Sequence, residues 1–165
     1  MAGADRPDTA SIPTPSYTLR VTFAYKGGVV RFAGSQRVAM TTPPSSTPAP
    51  EKERSGYWFE ARDANGALLF LRVLHDPVRA DVEVHSKDSK QSSTRIPIAE
   101  PEGRFEVLVP DLSEARSLHL FGTPVGVRSH NAPSQEILRL DFDEARRAEP
   151  GKVVSGAPPR DPEGN

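Results

Sequence analysis

Two histidines and two aspartates lie close together in the sequence and have the side-chain types that bind divalent metals. They are His75, Asp76, Asp81 and His85, and imidazole nitrogens with carboxylate oxygens are common zinc ligands. If 75–80 connects two strands of a hairpin, His85 lies about five residues along the returning strand, roughly 16 Å from His75 at about 3.3 Å per residue. That distance is too long for one metal ion, so the sequence predicts no metal site, and His75-Asp76-Pro77 is interpreted as a turn.

No local motif for catalysis or cofactor binding is present in the sequence. The HExxH, GxSxG, P-loop, GxGxxG and EF-hand patterns are all absent. A Ser–His–Asp site stays open, because its members need to be close only in space, but no serine is placed on a strained turn beside a histidine. His119 lies between Leu118 and Leu120 and is expected to face away from the core and into solvent. The sequence therefore predicts no catalytic residue and no cofactor.

Charge and cysteine content exclude several other classes of protein. The 21 Lys and Arg against 22 Asp and Glu give a net charge of -1, whereas binding to nucleic acids or anionic membranes favours a basic excess. Cysteine is absent, which excludes disulfides, Cys-ligated metals and thiol catalysis. No apolar stretch approaches the ~20 residues of a membrane-spanning helix, and the first segment has no signal-like apolar run. We therefore expect neither a nucleic-acid nor a membrane partner, with the cytoplasm as the default location.

The elements that must position the side chains are strands. Between Tyr17 and Phe142, apolar and polar residues alternate with a period of two, in eight or nine short runs separated by turn residues. This pattern predicts an all-β domain, a two-sheet antiparallel β-sandwich of the immunoglobulin-like kind. Gly34-Ser35 interrupts one long strand and predicts a bulge or bend. A single helical turn is predicted at 111–115.

Proline marks the predicted domain boundaries. Residues 1–16, 43–50 and 144–165 contain three, four and four of the 17 prolines. The two terminal segments have too few apolar residues to offset the entropy of ordering the chain. We therefore predict disordered segments at 1–15 and 144–165, flanking a β-sandwich domain at 16–143. Within the domain, 41–54 is predicted to be a Pro-rich loop between two strands, either mobile or functional.

One hairpin can be predicted in register. In Asp63-Ala64-Asn65-Gly66, the glycine suits the left-handed position that closes a three-residue loop. Pairing Asp63 with Ala67 then gives one apolar face, which is assigned to the core and consists of Tyr57, Phe59, Ala61, Leu69, Leu71 and Val73. A two- or four-residue loop would mix polar and apolar residues on both faces, which favours the three-residue loop.

The other face of this hairpin is unusually apolar and is the predicted partner-binding surface. Its residues are Trp58, Leu68, Phe70, Arg72 and Leu74, with Trp58 and Arg72 placed for a cation–π stack. A row of large exposed apolar side chains is rare on a soluble monomer. Either this chain covers the row, with the Pro-rich loop or a terminal segment, or a protein partner does. Both explanations stay open.

Two stretches of the sequence have a distinctive order of elements. They are GYWFEARDANGALLFLRVLHDPVRADVEV at 56–84 and FEVLVPDLSEARSLHLF at 105–121. A strand ends in Asp-x-x-Gly, a strand returns, and a Pro-containing strand precedes an edge strand. This order resembles the non-catalytic β-sandwich domain on the N-terminal side of the bacterial M64 family of IgA-type metallopeptidases. The resemblance covers about half of the chain and implies a bacterial accessory or interaction domain, with a peptidase or its substrate as neighbour. Because the HExxH motif is absent, no catalytic residue is carried over.

The predicted function is a non-enzymatic protein-binding or accessory β-sandwich module, associated with a bacterial peptidase system. One alternative is a structural subunit of a larger bacterial or phage-like assembly, in which terminal segments become ordered on neighbouring subunits. Such a subunit would form a large, defined homo-oligomer. Another alternative is an enzyme whose site is assembled from residues distant in the sequence.

Overall fold

The computed structural model describes residues 17–47, 56–79, 81–84, 94–123 and 133–148, with the backbone only at 81–84 and 94–95. The described residues form strands and one short helix, which confirms the predicted all-β class. Their bounds are β1 (Thr18–Lys26), β2 (Val29–Val38), β3 (Tyr57–Arg62), β4 (Leu68–Leu74), β5 (Asp81–Val84), β6 (Thr94–Pro97), β7 (Glu102–Pro110), β8 (Ser117–Gly122), β9 (Gln135–Asp141) and α1 (Phe142–Arg147). The predicted disordered segment at 1–15 and the tail from 149 lie outside the described residues.

Two antiparallel sheets make up most of the structure. Sheet A has the strand order β2-β1-β7 and sheet B the order β4-β3-β8-β9, while β5 and β6 pair with each other. Alternate side chains of both sheets meet in one hydrophobic core. The largest fully buried apolar side chains are Phe23, Phe32, Phe59, Phe142, Leu19, Leu118 and Leu120. The arrangement is sandwich-like, and each sheet keeps one face directed away from the shared core.

The irregularity expected in the second strand is confirmed. Phe23 pairs with Phe32 and Thr22 with Gly34, which leaves Ala33 as an extra residue in β2. Gly34 has a φ of 136°, a conformation that side-chain-bearing residues rarely adopt. The bulge allows the inward alternation of β2 to change phase without breaking the strand.

The turn between β3 and β4 has the predicted form. Gly66 has a φ of 80°, and the Asp63 amide donates to the Ala67 carbonyl at 3.0 Å. The Asp63 carboxylate also accepts from the amides of Asn65 and Ala67, both at 2.8 Å. The aspartate therefore supplies the hydrogen-bond partners that a tight loop cannot find in its own backbone.

Beyond the turn, the predicted register of the hairpin is wrong by one residue. Arg62 pairs with Leu68 as predicted, but Ala61 pairs with Phe70, so Leu69 is bulged out of the ladder. One extra residue moves every later side chain of β4 to the opposite face of the sheet.

The bulge corrects the assignment of both faces. Residues predicted on the outer face that lie on the core side are Phe70, Arg72 and Leu74. Residues predicted in the core that lie on the outer face are Leu71 and Val73. The Phe70 ring is 5.9 Å from the Phe59 ring, within the hydrophobic core.

A helix follows β9 where a disordered tail was predicted. The Asp141 side chain accepts from two amides in the first turn of α1, as an N-cap does. Phe142 and Ala145 are buried in the core, and Ala148 packs against it. The domain boundary predicted after Asp143 is therefore wrong, because the folded region continues to Ala148. In the described ranges, no helix has the length and apolarity needed to cross a bilayer.

The segment predicted as a helical turn at 111–115 is a hydrogen-bonded turn between β7 and β8. The Ala115 amide donates to the Leu112 carbonyl at 3.1 Å, and no helix is assigned there. Ala115 is fully buried, so this connection packs against the core.

Candidate functional site

The outer face of sheet B carries a cluster of aromatic and ionisable side chains. Strand alternation and cross-strand pairing place residues from β3, β8 and β9 together on this face. We define the outer cluster as Trp58, Glu60, Arg62, Ser117, His119, Phe121, Glu136 and Arg139. Among them, only Trp58 belongs to the binding surface predicted from the sequence.

The aromatic part of the outer cluster is a stack of two rings. Trp58 and Phe121 lie opposite each other in the β3–β8 ladder, with ring centroids 4.9 Å apart and an interplanar angle of 7°. Trp58 is 5% exposed. Its burial agrees with the expectation that the apolar row would not remain exposed to solvent, and it makes the indole part of the folded structure of this chain.

A buried carboxylate lies two residues beyond Trp58, on the same face of β3. Glu60 is 1% exposed, and a buried charge is costly unless it is paired and hydrogen-bonded. It accepts from the Trp58 indole Nε1 at 3.1 Å and from the Arg62 Nε at 2.8 Å. The carboxylate thus fixes the orientation of both the indole and the guanidinium.

His119 occupies the centre of the outer cluster. Its Nε2 lies 2.8 Å from the Ser117 Oγ, and its Nδ1 lies 2.8 Å from a carboxylate oxygen of Glu136. The prediction that His119 faces away from the core is correct. The prediction that it is solvated is wrong, because the side chain is buried and the Phe121 ring stacks beside it at 6.4 Å.

Glu136 connects the histidine to an exposed arginine. Arg139 Nε donates to the other carboxylate oxygen at 2.9 Å. Burial alone would raise the pKa of Glu136, but the hydrogen bonds from Arg139 and His119 outweigh it and lower that pKa below its usual range. The carboxylate is therefore ionised at neutral pH and holds both partners.

The connection Ser117–His119–Glu136 has the order of a nucleophile, a base and an orienting carboxylate. The same connection also arises without catalysis, because residues two apart on a strand face the same side and readily hydrogen-bond. Glu136 uses both oxygens: Oε1 accepts from the Arg139 Nε, and Oε2 is shared between His119 and the Arg139 Nη2. In the part of the chain that the structure describes, no three His, Asp or Glu residues are grouped to hold a metal ion.

The other residues of the predicted binding surface are divided between the two faces. Leu68 is on the outer face and is 40% exposed. Arg72 is on the core side, where its Nη1 donates to the Pro44 carbonyl at 3.3 Å, so the predicted stack with Trp58 does not form. Val73, which is 48% exposed, lies opposite Trp58 on the outer face instead.

The described part of the predicted Pro-rich loop runs along the free edge of β4. The Ser46 amide donates to the Leu71 carbonyl at 2.7 Å, and the Leu71 amide donates to the Ser45 Oγ at 3.1 Å. The Ser46 Oγ accepts from the Val73 amide at 3.3 Å. These bonds occupy edge groups that could otherwise pair with another strand. The loop residues from 48 to 54 lie outside the described ranges.

Comparisons with known proteins give no relative from which a function could be inferred, so the geometry of the site is the basis for the assignment. No protein-family model matches the chain, and searches of curated proteins and of solved structures give no match at the threshold applied.

Proposed function

We propose that this chain is a non-enzymatic β-sandwich module that binds another protein through the outer face of sheet B. The observation that carries the proposal is an exposed apolar border beside the outer cluster, whose Trp58 and Glu60 are buried. Leu68 and Val73 lie on the outward side of β4, 40% and 48% exposed. Protein interfaces commonly combine accessible apolar side chains with a rigid aromatic support. In this arrangement the Trp58–Phe121 stack supports the contact surface, and Leu68 and Val73 supply the contact.

The same geometry favours binding by the sheet face over addition of a strand at its edge. Strand addition needs free backbone donors and acceptors along an outer strand. On β4, Ser45 and Ser46 already bond to backbone groups of Leu71 and Val73, and Leu69 is bulged. We therefore expect a partner to contact the outward side chains of β4 rather than to pair with its backbone. Arg139, with 64% of its side chain exposed, lies across the sheet from this border.

An immunoglobulin-like topology is part of the proposal. The order β4-β3-β8-β9 in sheet B matches the C′-C-F-G order of the immunoglobulin variable type. Sheet A departs from that pattern, since its first strand lies in the middle, where the immunoglobulin order A-B-E has the second strand. The likeness is therefore greatest in the sheet that carries the outer cluster.

A bacterial peptidase, or the substrate of one, is the proposed class of partner. This part of the proposal rests on the resemblance of 56–84 and 105–121 to the accessory domain of the M64 metallopeptidases. The alternative of a structural subunit differs in its partner, which would be further copies of the same chain or other subunits of an assembly.

Site-specific photocrosslinking tests the proposed surface. A photoreactive amino acid is placed at Val73, and at Ile96 as a control, because Ile96 is 51% exposed and lies on β6, outside sheets A and B. In lysate of the source organism, we expect a discrete heterologous protein to be trapped at Val73 and not at Ile96, and Leu68→Asp to abolish the product. Mass spectrometry then identifies the trapped protein.

The outcomes of this experiment separate the alternatives. Products that consist only of the chain crosslinked to itself would support the structural-subunit alternative, and light scattering would then show a large homo-oligomer. Two results would contradict binding at this face. One is the same crosslinked protein at the test and control positions, and the other is a crosslinked product that persists in Leu68→Asp.

Hydrolysis is a second candidate function, favoured by the 2.8 Å contacts of His119 with Ser117 and Glu136. A hydrolase using this array would cleave p-nitrophenyl acetate and react with a fluorophosphonate at Ser117, and Ser117→Ala would abolish both reactions. If the wild type and Ser117→Ala cleave the ester and react with the fluorophosphonate equally, the Ser117–His119–Glu136 connection has a structural role. A matched control is Ser113→Ala, since Ser113 lies in the exposed turn before β8.

A further inference from the structure

The outer face of sheet A, on the side of the molecule away from the outer cluster, has an uneven distribution of ion pairs. Lys26 lies 3.5 Å from Glu102, and Arg20 lies 3.9 Å from Glu106. On this face, the two acidic side chains of β7, Glu102 and Glu106, are therefore each paired with a basic side chain of β1.

Between these two ion pairs lies a row with two arginines and no acid. Ala24 of β1 is opposite Arg31 on β2 and opposite Arg104 on β7. Both arginines are exposed, and neither has an ion pair or side-chain hydrogen bond within the described residues. Directly opposed residues have Cβ atoms about 5 Å apart, so the two arginine Cβ atoms lie about 10 Å apart on either side of Ala24. Because arginine side chains are long, the two guanidinium groups can converge over the small alanine side chain.

The row opens into a groove of about 440 Å³. Besides Ala24, Arg31 and Arg104, its lining includes Tyr25, Val29 and Gly103, and the Lys26–Glu102 ion pair, whose opposite charges leave the two arginines as the excess charge of the lining. Val29 is 53% exposed, so the groove has an apolar wall next to the two positive charges. This volume is in the range of sites for small ligands.

We propose that this groove binds a phosphate monoester, with Arg31 and Arg104 on the phosphate and the organic group against Val29. A phosphate monoester carries nearly two negative charges at neutral pH, since its second pKa is about 6. This charge matches the two guanidinium groups, which have no acidic partner among the described residues. Arginine binds phosphate through two parallel N–H donors. Ala24 is essential to this geometry, because a longer side chain would occupy the space between the arginines.

Amide chemical-shift titration of the full-length protein tests the proposal. The probes are inorganic phosphate, phenyl phosphate and acetate. We expect saturable shifts at Ala24, Arg31 and Arg104 with a Kd of about 1 mM or below for phenyl phosphate. Phenyl phosphate should bind more tightly than inorganic phosphate, and Val29→Ser should remove that difference. Acetate should produce no saturable shift.

Variants of the two arginines show whether they form the site. Arg31→Gln and Arg104→Gln are each expected to weaken phenyl phosphate binding by about tenfold or more. Both side chains are exposed, so the variants should keep the circular dichroism spectrum of the wild type. The matched control is Arg147→Gln, because Arg147 is an exposed arginine of α1 that does not line the groove, and this variant should bind normally.

Three results would overturn the proposal. The first is the absence of saturable shifts at about 10 mM phenyl phosphate. The second is equal weakening by Arg147→Gln, which would indicate attraction by overall charge. The third is binding of acetate as tight as that of inorganic phosphate, which would assign the groove to carboxylates. Each is independent of partner binding at sheet B.

Discussion

Asp111 accepts a hydrogen bond from Arg146 at 2.8 Å, which joins the turn after β7 to the helix α1. The other oxygen of the same carboxylate accepts from Arg37 of β2 at 2.7 Å. Burial alone would raise the pKa of Asp111, but the hydrogen bonds from Arg146 and Arg37 outweigh it and lower that pKa. One carboxylate therefore connects three elements that are far apart in the sequence.

Asp111→Asn should reduce the free energy of unfolding by about 1–3 kcal/mol, because it removes the charge from hydrogen bonds to two arginines. Urea denaturation at pH 7 measures the loss. The control is Asp143→Asn, because Asp143 also contacts Arg146 but 61% of its side chain is exposed. A loss in Asp143→Asn as large as that in Asp111→Asn would contradict a special role for the three-element connection.

Stability should fall in acid because of Asp111 and Glu136. Both carboxyls have lowered pKa values in the folded protein, whereas in the unfolded chain they return to about 3.9 and 4.3. As the pH falls below about 4.5, the unfolded state binds more protons than the folded state, and the stabilisation is lost through the folded-state pKa values. Urea denaturation from pH 7 to pH 3 should show this decrease. It should be shallower in Asp111→Asn with Glu136→Gln, and an unchanged slope would contradict the assignment.

The helix after β9 should contribute strongly to stability despite its short length. Phe142 is fully buried, and Phe142→Ala should cost about 3–5 kcal/mol of unfolding free energy. Asp141→Ala removes the N-cap and should cost about 1 kcal/mol. Glu144→Ala is the control, with little change expected because its side chain is not part of the core. Thermal unfolding that ranks these variants differently would show that α1 is held in another way.

The bulge in β4 predicts unequal effects of two single-residue deletions. Removing Leu69 takes out the unpaired residue, so the Ala61–Phe70 and Arg62–Leu68 pairs become consecutive and each side chain keeps its face. Removing Leu71 breaks a regular ladder and turns the flanking side chains to the wrong face. We expect the first variant to fold, with some loss because Leu69 packs against the core, and the second to be insoluble. Similar solubility and circular dichroism spectra would contradict the register.

The features that sequence reasoning predicted correctly depend on residues close together in the chain. The β3–β4 turn follows from Asp63 and Gly66, and the irregularity in β2 from Gly34. The alternation of apolar residues likewise places Phe59 and Leu120 in the core. Each of these depends on a local preference that acts wherever the strand is placed.

The bulge at Leu69 could not be predicted because the run Leu-Leu-Phe-Leu has no polar residue to set the phase of the strand. The error changed the predicted binding surface, since Phe70 and Leu74 moved to the core side. The outer cluster was missed for a different reason. Ser117 and His119 share a face by spacing alone, but their partner Glu136 lies on another strand, and only the sheet order brings it near.

The helix α1 was missed because its segment is short and polar in composition. Two apolar residues, Phe142 and Ala145, are spaced three apart, and the acidic Asp141 precedes them as a capping residue. Those signals are present in the sequence, but the neighbouring prolines and charges favoured a disordered tail.

The stacked indole of Trp58 gives the protein an optical reporter for one of its two sheets. It is the only tryptophan in the chain, so intrinsic emission excited selectively at the indole comes from the Trp58–Phe121 pair on sheet B. A partner that binds at Val73, which lies opposite Trp58, changes the surroundings of the indole and therefore its emission. Such binding is detected without a label. A phosphate ester bound between Arg31 and Arg104 leaves the emission unchanged, because sheet A presents no tryptophan. The chain can thus distinguish occupancy of its two faces in a single fluorescence titration.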